Sequence, residues 1–354
     1  MRLFLSSLVF IVGTGLQAQQ AVQEQLFWSD EFNGTGSPNS LNWSYDLGNS
    51  GWGNNEIQDY TNLQSNVRQE SGNLVIEAHK LGNSWTSARI ISHNKFNFTY
   101  GRIEFRAKLP SGIGTWPALW MLGESLFTTG WPACGEVDVM EHVGKDPGYV
   151  HSSLHTSSSS GSTVNTGIHY EPTVYSDFHI YSANWTSEKI EFSIDSSLFY
   201  TYNPPIKNSS TWPFTSPFFL ILNIAMGGNW GSDPQFETNG LKNGIDPALS
   251  LARMEVDYVR VYQTASSIED LALNIKDGSR INISPNPSDG KITFNIPISR
   301  PEQGTIFNSM GVAVCNFQLN ADSKEIDLSH LPKGLYFVSI LSNSETKTQK
   351  FILK

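Results

Sequence analysis

Glu136, Asp138 and Glu141 crowd three carboxyl groups into the six residues Glu136-Val137-Asp138-Val139-Met140-Glu141, and acids this close repel one another unless a reaction or a cation uses them. Successive side chains of a β-strand alternate between faces, so Glu136 and Asp138 share one face while Val137 and Val139 turn to the other. Glu141, five residues after Glu136, falls on the wrong face unless one extra residue, a β-bulge at Val139-Met140, brings it back. With the bulge, five steps count as roughly four, which puts the two glutamate α-carbons about 13 Å apart at ~3.3 Å per residue. Their side chains lean across most of that gap. Carboxyl groups about 5 to 5.5 Å apart suit cleavage of a glycosidic bond with retention of configuration, one acid attacking the anomeric carbon and the other donating a proton. A calcium site built on the same acids would want loop carbonyls and a glycine turn inside the run, which this segment lacks. A solvated charged face would not carry Val, Val and Met on its reverse.

Such a strand needs a covered sheet to hold it, and the residues around it supply one. Charged residues make up only 16% of the chain while aromatics reach 12%, and Gly, Ser, Asn and Thr are abundant, a profile of turn-rich, all-β structure. Short alternating runs recur at Leu74 to Ala78, Gly101 to Leu109, Phe178 to Trp185, Lys189 to Ile194 and Phe218 to Ile224, and no stretch shows a helical period. Strands at this spacing without intervening helices predict a two-sheet sandwich of roughly 240 residues, large enough for its own core. The net charge of −10, from 23 basic and 33 acidic residues, argues against nucleic acid as a partner. All ten tryptophans lie between Trp28 and Trp230, which places the flat rings that stack on sugars, or fill a core, in this part of the chain.

The flanks set location and domain count. Residues 1–18, with Arg2, the apolar run from Leu3 to Leu16 and the small-residue pattern Leu16-Gln17-Ala18, read as a signal peptide too short to span a membrane. Two cysteines alone, Cys134 and Cys315, make a disulfide framework unexpected despite export. Strand-like runs continue to residue 263, and residues 264–280 form a polar linker without an aromatic residue. Residues 281–354 then predict a second, small immunoglobulin-like β-sandwich, with turns at Asn286-Pro287 and Asn308-Ser309-Met310-Gly311 and strands over Tyr336 to Ile340 and Lys347 to Lys354. This tail, through its Asn-Pro, Leu331-Pro332-Lys333-Gly334-Leu335-Tyr336 and terminal Lys-rich strand, resembles the C-terminal sorting domain of the type IX secretion system. The resemblance implies export to the medium or outer cell surface and removal of the tail. An accessory sugar-binding module is the alternative.

The body resembles glycoside hydrolase family 16 in its laminarinase-like, bulged branch. Trp131-Pro132-Ala133-Cys134-Gly135 precedes the acid strand, joined by Trp52-Gly53-Asn54-Asn55-Glu56, Tyr100-Gly101-Arg102-Ile103-Glu104, Gly114-Thr115-Trp116-Pro117-Ala118-Leu119-Trp120-Met121, Leu222 to Trp230 and Val256 to Tyr262. The resemblance covers residues 26–263 of a hydrolase domain placed at 22–263. It implies a concanavalin A-like β-jelly roll with a cleft across its concave sheet, Glu136 as nucleophile, Glu141 as acid/base, and Asp138 between them, hydrogen-bonded to Glu136. Like-charge repulsion among three acids would keep one proton bound near neutral pH, on Glu141.

For the substrate, the resemblance implies contacts from Asn54, Arg89, Trp116, Trp120, Trp131, His155 and Asn223. Zinc on His151 and His155 lacks a third ligand at a recognisable spacing. No cofactor is expected for catalysis. The resemblance does imply a structural calcium on the convex side, with Glu31, the Gly72 carbonyl and Asp257 as ligands. The expected partners are a β-1,3-glucan or mixed-linkage β-glucan and the secretion machinery, with no integral membrane segment and a monomeric state. A carbohydrate-binding protein without catalysis has no use for a proton donor opposite a nucleophile, so retention of all three acids favours the enzyme. Agar and carrageenan specificities share the same catalytic strand; the acidic chain and the Asn54 and Trp116 segments favour neutral glucan. The Ser/Gly-rich loop Thr156 to Ser162 is expected to be flexible.

Overall fold

A computed structural model describes residues 24–264, 283–294, 302–308, 313–320, 323–342 and 345–354. The signal peptide at 1–18 and the linker from 265 onward lie outside the described residues.

Residues 24–264 form two stacked antiparallel sheets with one parallel pair at an edge. Alternation builds them: in the strand Gly101–Lys108, Ile103, Phe105 and Ala107 are buried while their neighbours are partly exposed, and Leu251–Thr264 repeats the pattern. The convex sheet has ten strands, with Gly101–Lys108 and Leu251–Thr264 at its centre. The concave sheet has eight. Across it run, in spatial order, Thr166–Tyr170, Tyr149–His155, Glu136–His142, Thr115–Gly123, Phe218–Met226, Arg89–Ile91 and Ser44–Tyr45, with Asn97–Phe98 also pairing to Phe218–Met226.

One apolar cluster fills the space between the sheets, including Phe105, Trp185, Phe218, Leu222, Ile224 and Met254. Every residue of Phe218–Met226 is buried, because the strand has the core on one side and the floor of the cleft on the other. Val137, Val139 and Met140 belong to the core, which leaves the acids facing outward. Among the described residues helix is confined to two single turns, Leu126–Thr129 and Gly228–Gly231. Among the described residues no helix is long and apolar enough to cross a membrane.

The tail has its own core, with Phe294, Ile306, Val338 and Phe351 between a three-stranded sheet (Ile283–Ser284, Lys291–Phe294, Glu325–Asp327) and a four-stranded one (Ala313–Leu319, Glu302–Asn308, Gly334–Ser342, Glu345–Leu353). Both expected sandwiches are present. Cys134 and Cys315 are free thiols.

Candidate active site

The bulge falls where the spacing of the acids demands it. Against the strand Thr115–Gly123, Trp120 opposes Asp138 and Leu119 opposes Met140, so Val139 is the extra residue. On the other side Asp138 pairs with Ser153 and Glu141 with His151, three residues spanning two. Rows of side chains therefore cross the cleft floor. One runs His151, Glu141, Ala118, Asn223, Arg89; the next runs Ser153, Asp138, Trp120, Ile221; a third runs His155, Glu136, Leu122, Phe219. Ala118 is the small residue between Glu141 and Asn223, and it leaves the floor open where a ligand would cross. The cleft holds about 670 Å³ and is lined by all three acids and by Asn54, Arg89, Trp116, Trp120, Trp131, His155 and Asn223.

Two indole N–H groups orient the outer acids. Trp131 donates to Glu136 Oε2 at 2.9 Å, and Trp116 donates to Glu141 Oε1 at 3.0 Å. Asp138 departs from the expected role: it makes no hydrogen bond to Glu136. Its Oδ2 instead lies 3.1 Å from His155 Nε2, which also stands 3.6 Å from Glu136 Oε1. His155 reaches both because it pairs with Glu136 across the strands and sits one side-chain row from Asp138.

Burial is the main influence on all three carboxyl groups and pushes each up to about 8; the Asp138 charge adds to the rise for Glu136 and Glu141. Desolvation thus outranks the repulsion anticipated from spacing alone. Each glutamate also has opposing influences that favour its anion, the His155 ring and the Trp131 N–H for Glu136, the Trp116 N–H and the His155 ring for Glu141. Glu141 feels Glu56 as a further negative neighbour.

Arg89 and Asn223 are tied into the wall. Arg89 Nε is 3.0 Å from Asp46 Oδ2, and its guanidinium lies between the rings of Trp52 and Trp120, 4.8 Å from each centroid. Asn223 is buried; it accepts from Trp120 Nε1 at 2.8 Å and donates to the Tyr60 hydroxyl at 3.0 Å. Their direct partners are thus protein groups, and they fix the plane of the Trp120 ring. Asn54 reaches the cleft through a turn at Gly227 and Gly228, whose φ values of 64° and 76° suit glycine; Asn229 N–H donates to Asn54 O at 2.7 Å.

Glu56, the last residue of the Trp52 to Glu56 motif, joins the site as well. It lines the cleft, accepts from Gln58 Nε2 at 2.7 Å and the Tyr60 hydroxyl at 3.4 Å, and burial raises its pKa. The alternation Glu56, Gln58, Tyr60 was the available signal. Trp52 and Trp230 also line the cleft. His151 stands edge-on to Trp230, with ring centroids 4.8 Å apart, so it and His155 face different partners. Among the described residues the one grouping of three potential metal ligands is Glu136, Asp138 and His155, the same cluster read here as catalytic.

The loop after His155 is hydrogen-bonded within itself. Thr156 and Ser159 exchange backbone hydrogen bonds at 2.8 and 3.1 Å, Thr163 Oγ1 donates to Leu154 O at 2.9 Å, and Gly161 to Thr163 line the cleft. Its hydroxyls satisfy the turn locally, which holds the segment against the rim.

On the convex sheet the pairs Asp30 with Val259, Glu70 with Asn73 and Val256 with Leu74 bring Glu31, Gly72 and Asp257 to the same end. The Glu31 carboxylate, however, accepts from Arg260 at 2.9 and 2.7 Å, and Asp257 faces Arg106 at 2.6 Å. A dication here would therefore draw on the backbone carbonyls of Glu31 and Gly72 and on the Asp257 oxygen that Arg106 leaves free.

The sequence pattern of Glycosyl hydrolases family 16 matches residues 54–260, and that of the secretion system C-terminal sorting domain matches residues 282–354. The chain is 42% identical over 260 residues to a beta-glucanase of Rhodothermus marinus, covering 70% of this chain and 88% of that one. It is 38% identical over 251 residues to a keratan-sulfate endo-1,4-beta-galactosidase of Sphingobacterium multivorum, covering 68% of this chain and 55% of the relative. Among solved structures, laminarinase from Flavobacterium sp. UMI-01 superposes with a TM-score of 0.63 at 44% identity, covering 68% of this chain and all of that one.

Proposed function

The chain belongs to family 16 of the glycosyl hydrolases and ends in a secretion sorting domain, and on that premise we propose that it is a secreted, retaining endo-hydrolase of β-1,3-glucan, with mixed-linkage β-glucan as a related substrate. The observation that carries this reading is the bulged strand, which turns Glu141 into the cleft on the same side as Glu136 and Asp138.

In the first step a Glu136 oxygen bonds to the anomeric carbon while the glycosidic C–O bond breaks and the Glu141 proton passes to the departing oxygen. In the second, water attacks the anomeric carbon, gives a proton to Glu141, and the Glu136 ester bond breaks. The reaction needs Glu136 ionised while Glu141 keeps its proton; the His155 ring, 3.6 Å from Glu136 Oε1, favours the charge on Glu136, and that charge then helps hold the proton on Glu141. Asp138, beside both His155 and Glu136, positions the histidine.

Neutral glucan is favoured over a sulfated galactan by the cations available. Arg89 is the one Lys or Arg among the described residues lining the cleft, and Asp46 already neutralises it. A sulfate would find no free counter-charge there. Laminarin and barley glucan should therefore be cut to short oligosaccharides, while agarose and carrageenan remain intact. Release of galactan fragments with laminarin untouched would refute the assignment.

A structural calcium on the Glu31, Gly72 and Asp257 end remains part of the proposal. Calcium added to chelator-treated protein should raise the melting temperature, since a ligand bound only by the folded state stabilises it. Identical curves would remove the ion.

A further inference from the structure

The cleft floor continues past its lining residues onto an exposed platform. On the strand Tyr149–His155, residues His151, Ser153 and His155 line the cleft and Tyr149 stands on the same side of the sheet beyond them, while Val150 and Leu154 enter the core. The edge strand Thr166–Tyr170 carries the alternation on, since Ile168 pairs with His151 and Tyr170 with Tyr149. Glu141, His151 and Ile168 therefore form one row, and Tyr149 and Tyr170 form the next. Three large side chains stand open there, Tyr149 at 47%, Ile168 at 56% and Tyr170 at 57% exposure.

The two tyrosine rings lie 5.0 Å apart at 49°. Tyr170 packs closely over Gly148, where φ is 81° and a Cβ would meet the ring at 2.8 Å. The opposite face of the same strand is occupied, His169 against Phe199 with centroids 5.4 Å apart, so the rings cannot turn inward. Fixed, exposed aromatic rings flush with a sugar cleft match the apolar faces of pyranose rings, and the phenolic hydroxyls can bond sugar hydroxyls.

We infer that Tyr149, Ile168 and Tyr170 form a distal binding platform for the glucan chain that leaves the cleft across the edge strand. The occupant follows from continuity with the cleft. At ~4.8 Å between strands, Ile168 stands about 10 Å from the catalytic strand, on the order of two sugar units, and the tyrosines serve the units beyond. The platform thus selects long chains over short ones and contributes to substrate affinity, not to bond cleavage. It rests on the glucanase reading above.

The test compares the full chain with its Tyr149→Ala/Tyr170→Ala variant on laminarin and on the β-1,3-linked trisaccharide. The KM for laminarin should rise about tenfold, a change expected from loss of ring stacking, with kcat and trisaccharide turnover within about twofold. The Tyr149→Phe/Tyr170→Phe variant, which keeps the rings, should stay near the wild-type KM; a loss there equal to that of the alanine variant would overturn stacking as the cause. An active wild type with an unchanged laminarin KM in the alanine variant would overturn the platform while leaving the function standing, whereas a wild type inactive on every β-glucan would remove the function itself. A wild-type dimer that the alanine variant converts to monomer, with laminarin kinetics unchanged, would assign the patch to a second copy of the chain and also overturn the inference.

Discussion

Glu136→Gln leaves the sandwich folded and lowers laminarin hydrolysis by at least about 10⁴-fold, the scale of loss when a covalent nucleophile is removed. The amide keeps the shape of the carboxyl group and can still accept from Trp131, so the neighbouring wall stays in place. What disappears is the oxygen anion that forms the glycosyl ester. Folding is easily checked, because all ten tryptophans lie between Trp28 and Trp230 and none lies in the tail. Their fluorescence therefore follows the hydrolase domain alone.

The same variant has a predicted sign in stability. Burial raises the folded-state pKa of Glu136 to about 8, above its ordinary value of 4.5. A group raised on folding contributes stability that is fully present below the unfolded pKa and is lost as pH rises through the folded one. Wild type should thus weaken between about pH 5 and pH 8 relative to Glu136→Gln, in which that proton is absent. Near-normal turnover by the folded variant would sink the assignment of Glu136.

Glu141→Ala separates the acid from the nucleophile. Loss of a general acid costs about 10²–10⁴-fold on a natural glucan, whose leaving oxygen needs the proton. An aryl β-glucan oligosaccharide with an acidic phenol as leaving group does not need it, so its first step should be far less affected. In wild type, kcat/KM on laminarin should fall as pH rises through the region near 8, because the proton on Glu141 is then lost. The variant should lack that limb with the aryl substrate. Equal losses on both substrates would contradict the acid role and leave Glu141 as a charge or packing residue.

The fold and the acid strand were legible because they rest on period-two patterning. The five-residue separation of Glu136 and Glu141 forces a choice between a buried acid and a bulge, and Val139 and Met140 are apolar enough to occupy the core together. Other contacts depend on distant segments and left weaker traces. Asp46 capturing Arg89, and Tyr60 linking Glu56 to Asn223, join residues 43 and 163 positions apart. No local pattern announces such pairs, so the support that Arg89 and Asn223 give to Trp120, while both line the cleft, is visible only in the fold. The hydrogen bond from Asp138 to Glu136 that the resemblance implies is replaced by a neighbour that only the sheet supplies: His155, paired with Glu136 across the strands, stands 3.1 Å from Asp138 Oδ2. In the Thr156 to Ser162 loop composition does not reveal the pairing, since Ser and Thr hydroxyls bond within a turn as readily as they meet solvent.

The stereochemical course of hydrolysis bears on the central claim most directly, because it depends at once on the substrate, on Glu136 acting as nucleophile and on Glu141 acting as acid and base. Laminarin mixed with the purified full chain should release reducing ends that proton NMR first detects as the β-anomer, with the α-anomer growing later by mutarotation. First appearance of the α-anomer would contradict the double displacement and with it the roles given to both glutamates.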